Sequence, residues 1–507
     1  MRNATWLSVR NAEAAQLDNL HVLAPAEFRA VVLAAIDAGA RITAYFGVPQ
    51  EQDTIRLIIV LAHEQAGSLS LTSTDVQGTY LALTPVCPQA HWFEREIAEQ
   101  WAIRPDGHPW LKPIRFHTPY GSRPALWVEA SKADILPGVG PFFHVRGSEV
   151  HEVAVGPVHA GVIEPGHFRF QCHGEQVFHL EIALGYQHRG IERALINGPS
   201  KRRIHYVETV AGDTSIGHAT AYCQALEALS GSRVPARAEA LRGIALELER
   251  LANHTGDLGA LAGDIGFLPT ASYCGRLRGD FLNLTAVLCG SRFGRGLVRP
   301  GGVEFDIDSV RKEQMLTRLD SAFTDVASAV SLLWETQSVR ARFDDAGSLT
   351  RETCVQLGLV GPVARACGME RDVRREFPSG MFRFTQIPVS TWETGDVFAR
   401  ATVRWLEIQR SVAFVGEQLS ALPEGPLHSD YGSLTPSQIV VSLVEGWRGE
   451  ICHVALTDTQ GQLSAYKIVD PSFHNWMGLA MALRNQPISD FPLCNKSFNL
   501  SYCGHDL

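Results

Sequence analysis

The stretch RAEALRGIALELERLA, residues 237–252, carries the clearest helical pattern of this sequence. Leu241, Ile244, Leu248 and Leu251 recur at the 3.6-residue period of an α-helix and fall on one face. This spacing predicts an amphipathic helix whose apolar face packs against a hydrophobic core.

A polar stripe borders that apolar face. Glu247, Arg250 and His254 lie within about 60° of one another when each residue turns the helix by about 100°. Ionisable groups beside a core are costly unless they are paired, so the stripe has two interpretations. It is either a structural ladder of ion pairs or part of a buried pathway for protons or charge.

Length and composition place this helix in a large globular protein. The chain has 507 residues, which predicts about two to four domains. A hydrophobic fraction of 45% and a charged fraction of 20% suit a chain that buries a large core. Lys and Arg number 45 against 54 Asp and Glu, which gives a net charge of −9 without any basic block. Because surfaces that bind nucleic acid are basic, we expect no nucleic-acid partner.

Apolar runs are short throughout the sequence. The longest cover residues 30–36 and 57–62, whereas a membrane-spanning helix needs about 18 residues or more. No apolar stretch with a small-residue cleavage site follows Met1, so we expect a cytoplasmic protein. The ten cysteines include no CxxC pair, which argues against a zinc knuckle or an iron–sulfur cluster on this chain.

Turn signals and apolar patterns divide the chain into three predicted parts. Residues 1–120 are predicted to form a small α+β domain, residues 121–145 a linker, and residues 146–507 a second domain. In the first domain we predict helices over 26–38 and 91–103 and strands over 42–46 and 55–61. In the second we predict strands over 149–155, 168–173, 440–444 and 451–457 around a mainly helical region at 185–422.

Common nucleotide-binding and catalytic motifs are absent from the sequence. There is no GxxxxGK[ST] loop, and the Gly-rich stretches near residues 294 and 301 lack the strand-turn-helix context of a dinucleotide site. HExxH and GxSxG are also missing, so the commonest zinc-protease and serine-hydrolase sites are excluded. The charged stretch RDVRR at 371–375 is interpreted as a solvated surface run.

Ordered strings of residues resemble a known family over nearly the whole chain. FERE at 93–96 followed by GHP at 107–109 is similar to the C-type peripheral-arm subunit of respiratory complex I, the NADH-quinone oxidoreductase. GPVH at 156–159, EPGHFR at 164–169 and HRGIE at 188–192 resemble the large subunit that complex I (D-type) shares with membrane-bound NiFe hydrogenases. Further matches follow in order at 247–250, 276 and 278, 299–303, 361–365, 372–374, 395–397 and 448–450.

The fused C-plus-D arrangement is most similar to the large subunit of formate hydrogenlyase-type, energy-converting hydrogenases. The resemblance implies an α+β fold, in which a small α+β domain precedes a mostly helical domain with short flanking sheets. It implies a peripheral subunit, active only within a membrane-associated, ion-translocating redox complex on the inner face of the cell membrane. The implied partners are a small iron–sulfur subunit with a 4Fe-4S cluster, a ferredoxin-like iron–sulfur subunit and ion-translocating membrane subunits.

The sequence departs from this family at the metal ligands. NiFe hydrogenases hold nickel and iron with four thiolates from two CxxC pairs, because soft anionic sulfur suits these metals. By the resemblance, the first pair falls on Ala211 and Thr214 and the second on Ser501 and Gly504. Cys503 is the single cysteine nearby and matches neither ligand position of its pair. We therefore expect no NiFe centre and no metal on this chain.

The resemblance places three candidate catalytic residues around the same cavity. His159 matches the histidine that complex I places at the quinone headgroup, where it could donate a hydrogen bond and a proton. The tyrosine that accompanies it falls on Gly212, so Asp213 is the candidate proton source, and His218 is expected to line the cavity. Three functions remain open: reduction of a quinone-like acceptor, chemistry on another small redox substrate, or a coupling scaffold without redox chemistry.

A polar interior is the last feature that the resemblance implies. The candidate residues for a proton or charge pathway are Glu192, Glu247, Arg250, Arg278, Asp372 and Arg374. Each of them could equally belong to a satisfied buried ion pair, since such pairs often only position helices.

Overall fold

The N-terminal part folds around one mainly antiparallel sheet. A computed structural model describes residues 5–126, 141–159 and 163–507 of the chain. The first ten elements are β1 (Leu7–Val9), β2 (Glu13–Gln16), β3 (Val22–Leu23), α1 (Pro25–Asp37), β4 (Arg41–Pro49), β5 (Ile55–His63), β6 (Ser68–Val76), β7 (Thr79–Leu81), α2 (His91–Trp101) and β8 (Arg104–Asp106). The strand order is β1-β6-β5-β4, with β3 parallel to β6.

These elements confirm the helices and strands predicted for the N-terminal part. Helix α1 begins at Pro25, because the first turn of a helix does not need the N–H group that proline lacks. Helix α2 ends at Trp101, two residues before the predicted end, because Ala102 adopts a left-handed conformation with φ of 52°. The apolar run at 57–62 lies in β5 and is buried, which makes this strand the centre of the N-terminal core.

The second part surrounds long helices with short sheets. Its strands are β9 (Val150–Val155), β10 (His167–His173), β11 (Gln176–Ala183), β12 (Val298–Arg299), β13 (Gly302–Val303), β14 (Gln438–Gly446), β15 (Gly449–Thr457) and β16 (Leu463–Val469). Its helices are α3 (Ile191–Asn197), α4 (Ser200–Val207), α5 (Ser215–Ser230), α6 (Ala236–Asp264), α7 (Leu268–Cys289), α8 (Ser309–Glu335), α9 (Gln337–Phe343), α10 (Arg351–Leu357), α11 (Gly361–Ala366), α12 (Val373–Glu376), α13 (Val397–Ser420), α14 (Pro471–Ala482), α15 (Phe491–Phe498) and α16 (Tyr502–Asp506). The predicted strands, the helical region and the α+β fold class are confirmed. Among the described residues, no helix has the length and apolar character needed to cross a membrane.

One sheet contains strands from both ends of the chain. Its order is β16-β15-β14-β2, so the N-terminal strand β2 pairs with β14 of the second part. In this register Gln16 lies opposite Gln438 and Glu13 lies opposite Val441. Because this shared sheet joins the two parts, the fold does not mark a separation between them near residue 120. The domain boundary there stays a prediction. Residues 127–140 of the predicted linker lie outside the described residues.

Helix α6 confirms the helix predicted over residues 237–252 and extends it to Asp264. Its polar stripe differs from the expectation, because Glu247, Arg250 and His254 do not border the core but are fully buried within it. Helices α7 and α13 pack against α6. A helix that is buried on all sides needs internal partners for its charged groups, and these partners define much of the site described below.

Candidate functional site

Residues 211, 214, 501 and 504, which the family resemblance aligns with metal ligands and which are here named the former ligand positions, lie in two segments that are neighbours in the fold. Residues 211 and 214 precede α5, whereas residues 501 and 504 lie at the start of α16 and within it. The guanidinium of Arg189 donates hydrogen bonds to the carbonyl oxygens of Val210, at 3.0 Å, and of Cys503, at 2.9 Å. The structure thus brings together the two segments that the family resemblance pairs.

Arg448 and Asp213 form an ion pair at the first of these segments. The guanidinium donates to the two carboxylate oxygens of Asp213, at 2.6 and 2.8 Å, and to the carbonyl of Asn499, at 2.5 Å. The hydroxyl of Thr214 accepts hydrogen bonds from Arg448, at 3.3 Å, and from the indole of Trp447, at 3.1 Å. Burial opposes the charge on Asp213, but the Arg448 guanidinium holds the pKa of this carboxyl below its ordinary value. The polar groups of the first segment are therefore engaged with protein partners.

Asp470 lies at the second segment and contacts the backbone at residue 504. A Cβ atom on Gly504 would come within 2.6 Å of the Asp470 Cγ, closer than such atoms approach in proteins. The carboxylate is held in place, because Oδ1 accepts the N–H of Ser472 at 2.8 Å and Oδ2 lies 3.1 Å from Nε2 of His218. With Asp470 in this position, residue 504 has no room for any side chain.

These positions do not fit a NiFe centre. The four residues supply a methyl group, two hydroxyls and one bare glycine, whereas nickel and iron need soft thiolates. Burial raises the pKa of the Cys503 thiol to about 12, so this thiol stays protonated at neutral pH. Within the described ranges, no group of three or more His, Cys, Asp or Glu side chains is placed to hold a metal ion.

Two of the three candidate catalytic residues belong to one cluster. His218 is fully buried on α5, and the Asp213 side chain is 31% exposed. His218 contacts Asp470, and the negative charge of Asp470 acts on Asp213 in opposition to Arg448. The structure therefore links Asp213 and His218 through the residues Asp470 and Arg448.

His159 lies at a different place, beside a cavity of about 400 Å³ whose lining includes neither Asp213 nor His218. Its Nε2 donates a hydrogen bond to the carbonyl of Gly166 at 3.0 Å. The cavity lining is mostly apolar but also includes charged and amide groups. The lining includes Phe168, Phe170, Phe491, Leu500 and Tyr502, together with Asp264, Asn495 and Lys496. Residues 160–162, next to His159, lie outside the described residues.

A second group of charged side chains, here named the α6 charge network, fills the interior around α6 and α13. Its centre is Glu407, whose carboxylate lies 2.8 Å from both Arg365 and His254 and 3.3 Å from Arg250. Burial disfavours the charge of Glu407, but the Arg365 and Arg250 guanidinium groups and the hydrogen bond from His254 hold the pKa of this carboxyl well below its ordinary value. The members of the network are Glu247, Arg250, His254, Arg365, Asp372, Arg374, Glu407 and Glu445.

The stretch at 371–375 belongs to this network, so its interpretation as a solvated surface run was wrong. Asp372 and Arg374 are buried, and of the five residues only Arg375 is exposed. Arg374 lies 2.6 Å from Asp372 and 3.0 Å from Glu247 of α6. Its partner Glu247 is far away along the chain. The charges near residue 374 in the sequence therefore cannot predict that contact.

Glu192 belongs to a separate cluster between α2, α3 and β16. Lys467 Nζ lies 3.1 Å from Glu192 and 2.6 Å from Glu96, and Arg115 also pairs with Glu96. Burial disfavours the charge of Glu96, but the two cations hold its pKa below the ordinary value. Because this cluster joins the N-terminal helix α2 to β16, its contacts favour a structural role for Glu192.

Arg278 joins neither group, which differs from the expectation. It lies half-buried on α7, and its side chain packs against Gly256 of α6, where an added Cβ would come within 2.8 Å of the Arg278 Cδ. Across residues 5–126, 141–159 and 163–507, Arg278 makes no ion pair. Its position favours a packing role at the contact between α6 and α7 over a place in a charge pathway.

Glu376, at the edge of the α6 charge network, makes the stability of the protein depend on pH. Burial and the nearby carboxylates of Asp372 and Glu445 raise its pKa from 4.5 to about 7. The folded protein therefore keeps this proton up to about pH 7, whereas the unfolded chain releases it near pH 4.5. The resulting stabilisation is complete below pH 4.5 and is lost as the pH rises to 7.

The free energy of unfolding of the wild-type chain is expected to fall as the pH rises from 4.5 to 7.5. We expect this fall to be about 1 kcal/mol smaller in Glu376→Gln, a value that allows for the partial exposure of the side chain. Urea unfolding at several pH values measures this difference. Glu370→Gln is the matched control, because Glu370 is exposed and pairs with Arg375 in the same segment. An identical pH dependence in both variants would contradict the prediction.

Several residues with central contacts are not among the candidates that the sequence predicts. Arg448 had a signal, because it begins the RGE string at 448–450 that matches the family. His453 lies in β15, where the apolar pattern resembles that of any buried strand. The partners of Asp470 and Glu407 lie far from them in the sequence, so only the fold identifies these two carboxylates as site residues.

Comparison with protein families finds matches in both parts of the chain. Residues 264–438 match the family of the respiratory-chain NADH dehydrogenase 49 Kd subunit. Residues 20–125 match the family of the respiratory-chain NADH dehydrogenase 30 Kd subunit. The fused arrangement of C-type and D-type parts, predicted from the ordered strings, is confirmed.

Curated relatives include hydrogenase and NADH dehydrogenase subunits. The chain is 31% identical to the carbon monoxide-induced hydrogenase of Rhodospirillum rubrum over 350 residues, which cover 69% of this chain and 97% of the relative. It is 28% identical to formate hydrogenlyase subunit 5 of Escherichia coli over 441 residues, 83% of this chain and 76% of the relative. It is also 29% identical to NADH-quinone oxidoreductase subunit 4 of Thermus thermophilus over 371 residues, 68% of this chain and 90% of the relative.

Proposed function

The chain belongs to the family of complex I 49 Kd-type subunits and related hydrogenases, and from this premise we propose its function. It is the large peripheral subunit of a membrane-associated, ion-translocating redox complex. The subunit itself lacks a NiFe centre. Its proposed partners are a small iron–sulfur subunit carrying a 4Fe-4S cluster, a ferredoxin-like iron–sulfur subunit and ion-translocating membrane subunits. These partners place it on the cytoplasmic face of the membrane. The subunit is active only within that complex.

The observation that carries this proposal is the set of groups at the former ligand positions. Arg448 and Asp213 form an ion pair where the first thiolate pair would lie, and Asp470 occupies the space of a side chain at residue 504. A fixed pair of charges and a carboxylate held by Ser472 differ in chemistry from a pocket for two soft metals. Thiolate ligands are missing from both segments, and other polar contacts take their place. This combination favours a site with a function other than binding nickel and iron.

Metal analysis of the complex, purified with its partners, tests the absence of a NiFe centre. We expect nickel far below one atom per chain and no hydrogen-dependent reduction of methyl viologen. A hydrogenase of this family that keeps both CxxC pairs, prepared in the same way, is the positive control. One nickel per chain, or hydrogen turnover by the complex, would contradict the proposal.

A quinone-like molecule is the acceptor that the His159 cavity favours. Aromatic and aliphatic walls suit a flat hydrophobic ring, and a histidine in the lining can donate a hydrogen bond or a proton to a reduced carbonyl. Electrons would come from the partner cluster, and each quinone would take up two electrons and two protons. The bond between His159 and Gly166 orients the ring in advance.

Reduction of decylubiquinone by the chemically reduced complex tests this acceptor. We expect His159→Ala to lower the rate by roughly 100-fold, in the range of a lost acid–base group, without loss of the partner subunits. His151→Ala is the matched control, because His151 is exposed on β9, shortly before His159 in the chain. Equal rates in the two variants would remove His159 from the reaction.

The alternative function is a coupling scaffold without redox chemistry. The α6 charge network favours it, because paired charges that join several helices can transmit a change in helix position. Ion movement in vesicles containing the complex, in the absence of any acceptor turnover, would support the scaffold and exclude the redox role.

A further inference from the structure

We propose that Tyr502 donates a hydrogen bond to a carbonyl oxygen of the quinone-like acceptor in the His159 cavity. The inference rests on the proposed function, because it names a second polar contact at the same site. No motif in the sequence selects Tyr502, and the position that the family resemblance aligns with the complex I tyrosine is Gly212. The cavity lining includes Tyr502 but not Gly212.

Tyr502 and His159 both line the cavity and contact the same residue, Gly166. Nε2 of His159 donates a hydrogen bond to the carbonyl of Gly166 at 3.0 Å. The phenol ring packs against the backbone of that residue, because a Cβ on Gly166 would come within 2.5 Å of Cε1 of Tyr502. Since one residue separates the two side chains, a single ring-sized ligand can contact both of them.

Packing fixes the position of the phenol ring. Tyr502 is 5% exposed, and its ring centre lies 4.9 Å from that of Trp476. The same ring meets Phe168 edge-on, with ring centres 6.3 Å apart, and Phe168 lies 6.0 Å from the ring of His159. The phenol group can turn only about its C–O bond, so little conformational freedom is lost when a ligand binds.

The hydroxyl of Tyr502 is available to a ligand. Among the described residues it donates no hydrogen bond, yet it keeps accessible surface, and the open space beside Tyr502 is the cavity. Burial raises the pKa of Tyr502 to about 12, so the phenol keeps its proton at neutral pH. The Asn495 side chain limits this rise, as a donor to the phenol oxygen does, which leaves the phenol proton for another acceptor.

His159 cannot supply this hydrogen bond while its ring is neutral. The carbonyl of Gly166 accepts the proton on Nε2, so the remaining nitrogen is Nδ1, which only accepts hydrogen bonds in a neutral imidazole. A quinone carbonyl also only accepts, so it needs a donor. His159 becomes a donor at Nδ1 only when the ring carries a second proton.

The other polar side chains of the lining are less suited to this role. The amide of Asn499 donates to Asp257 at 2.5 Å. The ammonium of Lys496 acts on the carboxylate of Asp264, which belongs to the same lining. Tyr502 is therefore the neutral donor in the described lining whose proton has no acceptor within the protein.

Tyr502 keeps its proton throughout the proposed reduction. The quinone oxygen gains negative charge when electrons arrive from the partner cluster, and a hydrogen bond to that oxygen then becomes stronger. No bond to hydrogen breaks at Tyr502, and neither of the two protons that the quinone takes up comes from it. The role of Tyr502 is thus to bind and orient the acceptor.

Infrared spectroscopy of the purified, oxidised complex with bound decylubiquinone tests this contact. Decylubiquinone labelled with ¹³C at one or the other ring carbonyl lets each carbonyl stretch be observed separately. In the wild-type complex we expect one stretch to lie at lower frequency than in an apolar solvent. In Tyr502→Phe we expect that stretch to return to its value in the apolar solvent. Loss of one neutral hydrogen bond should also weaken binding by roughly three- to tenfold.

Tyr431→Phe is the matched control, because Tyr431 is 42% exposed and lies outside the cavity lining. It should bind decylubiquinone as the wild-type complex does. Phenylalanine at residue 502 keeps the ring contacts, and retention of the partner subunits shows that the variant is folded. Unchanged carbonyl stretches and unchanged affinity in Tyr502→Phe would overturn this inference and leave the proposed acceptor in place.

The wild-type complex distinguishes failure of this inference from failure of the proposed function. Absence of decylubiquinone binding would overturn the proposed acceptor and, with it, the contact to Tyr502. Binding without reduction would overturn the redox function alone, since the carbonyl stretches still report whether Tyr502 donates to the bound quinone.

Discussion

Glu407→Gln is expected to lower the free energy of unfolding by about 3–5 kcal/mol, the range found when one partner of a buried ion pair is removed. Glu407 is the shared partner of Arg365, His254 and Arg250, and its side chain is 2% exposed. Glutamine keeps the shape of the side chain but removes its charge, so the two guanidinium groups are left with too little negative charge. Water cannot compensate, because the Arg250 and Arg365 side chains are fully buried.

Asp344→Asn is the matched control for this prediction. Asp344 also pairs with an arginine, Arg340 at 3.3 Å, but the two side chains are 43% and 42% exposed. Exposed pairs contribute about 0–1 kcal/mol, so we expect little change in this variant. Urea unfolding of the wild-type chain and both variants at neutral pH measures the difference. Similar losses in the two variants would show that burial does not govern the strength of the α6 charge network.

The sequence predicts those elements whose pattern is local. The helix at 237–252 and the strands at 55–61 and 451–457 show apolar spacing that matches their burial, and all three are confirmed. Strand β2 shows no such apolar spacing, because it has only four residues and these are partly exposed. It pairs with β14, which lies near the other end of the chain. Sheet partners that are distant in the sequence are set by tertiary packing, which no local period records.

The candidate site shows the same division between local and distant information. The family resemblance predicts the four former ligand positions from strings of neighbouring residues, and this placement stays a prediction. It could not indicate that Arg448 pairs with Asp213 or that His453 reaches His218, since these contacts join residues more than 200 positions apart. Such distant contacts decide whether a charged residue is buried and paired. For this reason the sequence alone predicts the run at 371–375 as surface and Arg278 as part of a pathway.

Gly504→Ala is expected to lower the free energy of unfolding by about 1–3 kcal/mol, the usual cost of adding a methyl group to a packed interior. The added Cβ would lie 2.6 Å from Cγ of Asp470, whose carboxylate is held by Ser472 and His218. Gly504 has no positive φ, so backbone strain does not contribute. Gly212→Ala, at the other former ligand segment, is the control, because its added Cβ meets nothing within 4 Å.

Asp470→Ser, combined with Gly504→Ala, decides whether this one contact is the cause. Serine is shorter than aspartate and still caps α14, so the double variant should lose less stability than the sum of the two single variants. Additive losses would show that another neighbour of residue 504 opposes the methyl group. A coupled result would mean that a cysteine at residue 504 and the aspartate at residue 470 exclude each other. Loss of the thiolate and gain of the Asp470 contact to His218 would then be a single structural change.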